Sequence, residues 1–349
     1  MKKTMKPAKA GWIYAWIHFS LEVACFTWMM HHAIEWSAER YCIMAFLYDA
    51  LAFVPQSLVG ALTDRFPKMK IGPAGAVLII AGLVLPIPAI AFVFIVAGNC
   101  MIHVAGAQAT LRGANGKLGP SGIFVAGGSF GVITGTLLGS ITQDWVLYIP
   151  LGLMILAFFL SLYVSDRIDM EAESEGFHIA AQLPVGWIVA LTMVVIMARS
   201  YIGYAIPTAW KQETWQTILL YVFMGIGKAT GGVCADRFGA RRTSVWSLLC
   251  AIPFLVFGNR LMVISLIGIA FFSMTMAISL GAVVSVLPDN PGCSFGVTTV
   301  ALFLGTAPVF FVRPSTLEEQ IVIVTILTVV AAVCCFITLK GQNKEGMEA

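Results

Sequence analysis

Gly60-Ala61-Leu62-Thr63-Asp64-Arg65-Phe66-Pro67-Lys68-Met69-Lys70 closes one long apolar run, and Gly232-Val233-Cys234-Ala235-Asp236-Arg237-Phe238-Gly239-Ala240-Arg241-Arg242 closes another, 172 residues later. In both, a glycine stands four residues before an acid–arginine–phenylalanine triplet, and basic residues follow. Two further pairs keep nearly the same offset. Gly11-Trp12-Ile13-Tyr14-Ala15 recurs as Gly186-Trp187-Ile188-Val189-Ala190, and Pro120 and Phe124 recur as Pro291 and Phe295. Three matches in the same order at near-constant offset mark an internal repeat in which both copies run the same way. The chain therefore reads as two related halves.

The runs between these landmarks set the class. Of 349 residues, 59% are hydrophobic and only 11% charged, whereas a soluble domain is about a quarter charged. So few ionisable groups cannot cover a water-facing surface. Stretches of roughly 18 or more nearly uncharged residues are long enough to cross a hydrocarbon core. In lipid they must be helices or a closed barrel, because every backbone polar group needs an internal partner. The runs from Ala74 to Leu85 and from Ile321 to Leu339 do not alternate polar with apolar as barrel strands do. Helices are expected at about 11–31, 41–62, 71–86, 89–111, 120–141, 146–165, 185–206, 215–235, 243–258, 261–286, 293–311 and 318–339.

The expected fold is an all-α integral membrane protein of twelve transmembrane helices in two parallel-repeat six-helix bundles. Residues 1–165 form the first bundle and 166–184 a polar linker with five acids; 185–349 form the second bundle and a short tail. One set of loops carries Lys2, Lys3, Lys6, Lys9, Arg65, Lys68, Lys70, Arg112, Lys117, Arg167, Arg237, Arg241, Arg242, Lys340 and Lys344. The opposite set carries Arg40, Lys211, Arg260 and Arg313. Basic residues gather on the cytoplasmic side, so both termini are expected there, in a multi-pass protein of the cell (plasma or inner) membrane. The first apolar run continues to about Met30 without a small-residue cleavage site, and is read as an uncleaved helix. The eight cysteines fall in or beside apolar segments at no metal-ligand spacing, and read as small hydrophobes.

The paired loop resembles the signature of the major facilitator superfamily: Gly, three residues, Asp, Arg or Lys, one residue, Gly, then basic residues. In that family it joins helices 2 and 3 and, in weaker form, helices 8 and 9, the positions found here. The resemblance implies two halves rocking about a central site. It also implies a conformational latch in which Asp64 and Arg65 hold the outward-facing state together, with Gly60, and with Gly232, Asp236 and Arg237 as the second copy. A glycine lets helices approach closely, and an Asp at a helix end suits the positive N-terminus of a neighbour. The first copy departs from the pattern in having Pro67 where the second has Gly239. Helix 5 carries Gly127, Gly131, Gly135 and Gly139 on one face but no proline, so the motif of drug/proton antiporters is incomplete. The Arg found inside helix 4 of proton-coupled members has no counterpart, since Arg112 lies at the helix end.

Charges inside the membrane cost at least about 2.5–3.5 kcal/mol and mark candidate sites. Glu22 and Arg199 lie near mid-depth on helices 1 and 7, which face each other in the family, and both are expected to line the cavity; a static pair between the halves is the alternative. Tyr14, His18, Glu22 and Cys25 share one stripe of helix 1. Asp49 lies in the outer part of helix 2, on a stripe with Gln56. Lys228 of helix 8 takes the repeat position of Gln56. His103 shares a face of helix 4 with Asn99 and reads as a substrate or proton group or as a satisfied interior histidine. His31, His32 and Glu35 read as a surface cluster. No metal site and no cofactor are expected.

The expected function is secondary active transport of a small organic anion, zwitterion or amphipathic compound by alternating access. Acids in the first half and bases in the second suit coupling to protons. The sequence offers no nucleophile, metal cluster or nucleotide loop, so neither an enzyme nor an ATP-driven pump is expected. The expected partners are a small-molecule solute, protons and the bilayer, with no nucleic acid and a monomeric state. A non-transporting receptor or scaffold on the same fold, and a facilitative uniporter, are the alternatives.

Overall fold

The computed structural model describes residues 5–341 apart from 170, 172, 173 and 175. Lys2, Lys3 and Lys344, part of the acidic linker and most of the tail lie outside the described residues. Twelve rods cross the fold: α1 (Pro7–Ala33), α2 (Ala38–Arg65), α3 (Ile71–Val84), α4 (Pro88–Leu111), α5 (Gly119–Gly139), α6 (Tyr148–Ser165), α7 (Val185–Ala205), α8 (Thr214–Phe238), α9 (Ala240–Phe257), α10 (Met262–Val286), α11 (Pro291–Thr306) and α12 (Leu317–Thr338). Ten of them, some counted with a short flanking turn, are long and apolar enough to span a membrane; Ile71–Val84 is a shorter apolar helix. The remaining rod, α1, is 27 residues long and carries the membrane acid Glu22. Among the described residues there is no strand, only an isolated bridge between Ala180 and Leu339.

Two rods are broken in the middle. In α2 the helix turns at Val54 and Pro55, because proline has no N–H and its ring clashes with the carbonyl four residues back. The Gln56 side chain partly repairs the break by donating to the Ala52 carbonyl at 2.8 Å. In α10 the break falls at Met274, where Gly231 of α8 lies so close that a Cβ would sit 2.0 Å from the Met274 carbonyl oxygen.

The main helix pairs follow an n to n+6 rule. Helix α1 packs on α5 and α6, and α7 packs on α11 and α12; α3 packs on α4 and α6, and α9 packs on α10 and α12. Contacts between the halves obey the same rule, α5 against α8 and α11 against α2. The parallel repeat read from three sequence matches is therefore present in the helix packing.

The glycine face of α5 forms a seam with α1. A Cβ on Gly127, Gly131, Gly135 or Gly139 would fall 2.0, 2.5, 2.8 or 2.6 Å from the carbonyl oxygen of Ala15, Phe19, Val23 or Thr27. Both sets advance by four residues, so the two backbones meet in one continuous register. With no apolar driving force between helices in lipid, this close approach supplies the packing attraction that holds them.

The loop copies differ as their sequences do. Gly239, with φ of 87°, joins α8 directly to α9 as a one-residue junction. Proline cannot take a positive φ, and the first copy with Pro67 instead spends residues 66–70 between α2 and α3. That longer loop ties to the linker through Lys70 Nζ to Asp166 Oδ1 at 2.6 Å and Lys68 Nζ to Glu171 Oε1 at 3.2 Å. The linker is more than a solvated strap. Phe177 is buried, the Ala181 amide donates to Thr338, and the Lys340 amide donates back to Ile179.

Candidate functional site

Helices α1 and α4 cross the first bundle side by side, and their polar residues converge. His18, Glu22 and Cys25 lie one turn apart on α1, and Asn99 and His103 lie one turn apart on α4. Glu22 Oε1 is 3.5 Å from His18 Nε2 and 3.4 Å from His103 Nε2. Asn99 Nδ2 donates to the same oxygen at 3.5 Å, and reaches the Tyr48 hydroxyl of α2 at 2.9 Å. His18 Nδ1 faces the Phe124 carbonyl at 3.1 Å, and His103 Nδ1 faces the Asn99 carbonyl at 3.0 Å. All four side chains are buried: His18 is 7% exposed, Glu22 5%, His103 6% and Asn99 0%. Gly128 of α5 makes room for the His18 ring, since a Cβ there would lie 2.4 Å from its Nε2. The cluster abuts the second half, where Phe295 of α11 stacks on His103 with ring centres 6.4 Å apart.

The charged residues of the second half stand apart from this cluster. Among the described residues no ion pair joins Glu22 to Arg199; the carboxylate lies beside two imidazoles and accepts from the Asn99 amide instead. Arg199 and Lys228 are partly accessible and neither makes a hydrogen bond or ion pair among the described residues. Lys228 is within electrostatic reach of both Arg199 and Glu22. Asp49 of α2 is likewise partly accessible and without such a partner, within electrostatic reach of Glu22. At the C-terminal end of α1, His31 Nε2 lies 3.2 Å from Asp144 Oδ1, and His32 stacks on Trp28.

The repeated loops join the halves at the face that carries the start of α1 and the end of α12. Asp64 accepts from the amides of Gly292 at 3.0 Å and Cys293 at 2.8 Å, at the N-terminus of α11. Asp236 accepts from the amides of Leu118 at 2.6 Å and Gly119 at 2.9 Å, at the N-terminus of α5. The positive ends of two helices are thus each held by a carboxylate of the opposite half. Gly60 and Gly232 permit it: a Cβ would fall 2.2 Å from the Gly292 carbonyl oxygen and 2.6 Å from that of Leu118. Arg65 and Arg237 are exposed and lie over the adjacent rings of Phe66 and Phe238.

The cation at Asp64 is Arg112, with Nη2 3.1 Å from Oδ1, and Gln108 adds a hydrogen bond at 2.9 Å. In the sequence Arg112 stood out only as a charge at a helix end, and Gln108 did not stand out. A basic residue at a helix end reads as a solvated charge, and its partner is 48 residues away. His103 was singled out, but nothing in the spacing from Glu22 said that the two would meet.

No family profile matches the chain. It is similar to an uncharacterised MFS-type transporter, YfnC, of Bacillus subtilis (strain 168), with 26% identity over 306 residues, covering 75% of this chain and 73% of that one. The fold matches FucP, a major facilitator superfamily transporter captured in the outward conformation (TM-score 0.64, 14% identity, 93% of this chain and 97% of that one). It also matches the human organic anion transporter MFSD10 (TM-score 0.62, 13% identity, 95% of this chain and all of that one).

Proposed function

We propose that this chain, whose fold is that of the major facilitator superfamily, is a secondary transporter that moves a small organic anion across the cell membrane by alternating access. The observation that carries the reading is the pair of inter-half contacts at one face, Asp64 on α11 and Asp236 on α5. Two bundles fastened at one face by reversible hydrogen bonds can part there and close elsewhere, which is what alternating exposure of a central site requires. Positive-inside counting assigns that face, with both termini, to the cytoplasm. The structure then corresponds to a state shut on the cytoplasmic side, in keeping with its likeness to an outward-facing transporter.

Arg199 and Lys228 supply the solute chemistry. Two cations without a carboxylate partner, on two helices of one half, are costly in the membrane unless an anion joins them. The name of one structural relative, an organic anion transporter, agrees with that reading. Asp49, an acid without an ion-pair partner, is the coupling group in this reading. Glu22 is enclosed in the first bundle, with one carboxylate oxygen facing His18 and His103. The protein works as a monomer in the bilayer.

The test is solute-driven proton movement in liposomes bearing the purified protein, with pooled organic anions and pooled neutral solutes. Proton flux with an anion pool, lost in Arg199→Ala and uncoupled in Asp49→Asn, is the expected result. Flux driven equally by neutral pools, or unchanged in Arg199→Ala, overturns the anion assignment. Solute movement without protons in the wild type replaces coupling with uniport, and specific solute binding without any movement replaces transport with a receptor role.

A further inference from the structure

The hydrogen-bond roles at the α1–α4 cluster leave a charge unaccounted for. A carbonyl oxygen can only accept, so the Nδ1 atoms of His18 and His103, which face the Phe124 and Asn99 carbonyls, carry their hydrogens. Each neutral ring then turns an Nε2 lone pair inward. Both lone pairs point at one oxygen, Glu22 Oε1, at 3.5 and 3.4 Å. A carboxylate oxygen also only accepts. Three acceptors converge with no donor between them except the Asn99 amide, which reaches the oxygen but not the two nitrogens. One proton can settle one His–Glu contact and leaves the other facing lone pair to lone pair. Two protons place two imidazolium ions in the apolar interior against one carboxylate, with the Lys228 ammonium in electrostatic reach of His103 and Glu22.

We propose that His18, Glu22 and His103 form a binding site for one divalent transition-metal ion of the Zn²⁺ type inside the first bundle. The three ligand atoms lie within 4.8 Å of one another. Ligands about 2.0–2.1 Å from a tetrahedral ion stand about 3.3–3.4 Å apart, close to the two distances from Glu22 Oε1. Two imidazoles and a carboxylate are a ligand set suited to Zn²⁺, with the fourth position open. The outer shell is also in place. Metal-bound histidines donate their second N–H to a carbonyl or carboxylate, which fixes the ring, and both rings do so here. Phe124 and Phe295 cover the site on the side of α5 and α11. Gly128 provides the space the His18 ring needs. The sequence did not show this site because two ligands are four residues apart on one helix and the third is 81 residues further on another. The inference stands on these atoms alone and does not depend on the transported solute.

The experiment uses the full-length chain in detergent with any affinity tag removed, stripped with a chelator and titrated with Zn²⁺ against a chromophoric indicator. The expected result is one Zn²⁺ per chain. The affinity should be unchanged in a His31→Gln, His32→Gln double variant and weakened at least about 10-fold in each of His18→Gln, Glu22→Gln and His103→Gln. Co²⁺ added to the wild type should give the visible absorption of a four-coordinate site, which reports the site without any substitution and so serves if the variants fail to fold. Absence of a stoichiometric Zn²⁺ site in the wild type overturns the proposal. So does Zn²⁺ binding that disappears with His31 and His32 and persists without His18 and His103.

Discussion

Asp64 and Asp236 hold corresponding places in the two halves, yet the Asp64 side chain is buried against the Arg112 guanidinium while Asp236 is exposed and meets backbone amides only. The repeat has kept the carboxylate-to-helix contact and changed its surroundings. A buried carboxylate holding a guanidinium, an amide side chain and two backbone N–H groups joins α2, α4 and α11. An exposed one joins α8 and α5 through two amides screened by solvent.

The two aspartates should therefore respond differently to the same substitution. Asp64→Asn removes the acceptor charge from a buried site with four donors and should destabilise the protein by about 2–3 kcal/mol. Asp236→Asn should cost about 1 kcal/mol or less, and its effect should shrink in high salt. Thermal melts of the purified variants at low and high ionic strength give the comparison. Equal losses at both positions would contradict it.

The α1–α5 seam should reject any side chain. Gly127→Val must displace the Ala15 carbonyl, and overpacking of this kind costs about 1–3 kcal/mol. Gly152 of α6 has nothing within 4 Å of a Cβ, so Gly152→Ala should be neutral or mildly stabilising by the helix preference of alanine. Melting temperatures of the two variants should move in opposite directions or differ by several degrees; a Gly127→Val melt indistinguishable from wild type would count against the seam.

The contact of Gly60 with Gly292 should set which face is open. A leucine at position 60 cannot share that space, so α2 and α11 must part at the face bearing Asp64. Cys293, whose amide now donates to Asp64, should then react faster with a maleimide. With the other seven cysteines replaced by alanine, Gly60→Leu should raise the labelling rate about tenfold, the shift that about 1.4 kcal/mol produces. Gly186→Leu, at a glycine with open space around it, should leave the rate unchanged.

Most of the fold was legible in the sequence, because membrane helices announce themselves by length and apolar character. The expected span 120–141 is Gly119–Gly139 in the structure, and 71–86 is Ile71–Val84. The breaks at Val54–Pro55 and at Met274 were missed. The first follows from a proline whose effect depends on its place in a long helix, and the second coincides with a close approach from α8 that no local signal carries. The loop carboxylates were legible since the motif occurs twice. Arg112, and the meeting of Glu22 with His18 and His103, were not, because each partner sits on a different helix and only packing sets the distance. The same holds for Glu22 on α1 and Arg199 on α7, which form no ion pair among the described residues.

The register of α1 on α5 has a mechanical consequence. With bare glycine main chain of α5 set against the main chain and Cβ atoms of α1 over successive turns, the two helices have little room to slide and form one stiff beam. One end of that beam is the amide pair gripped by Asp236, and further along it hang His18 and Glu22. When the grip at Leu118 and Gly119 is released, α5 cannot swing alone. Whatever moves α5 therefore moves the Glu22 carboxylate as well, so the hold on Leu118 and Gly119 at one end of the beam is mechanically tied to the buried cluster around Glu22.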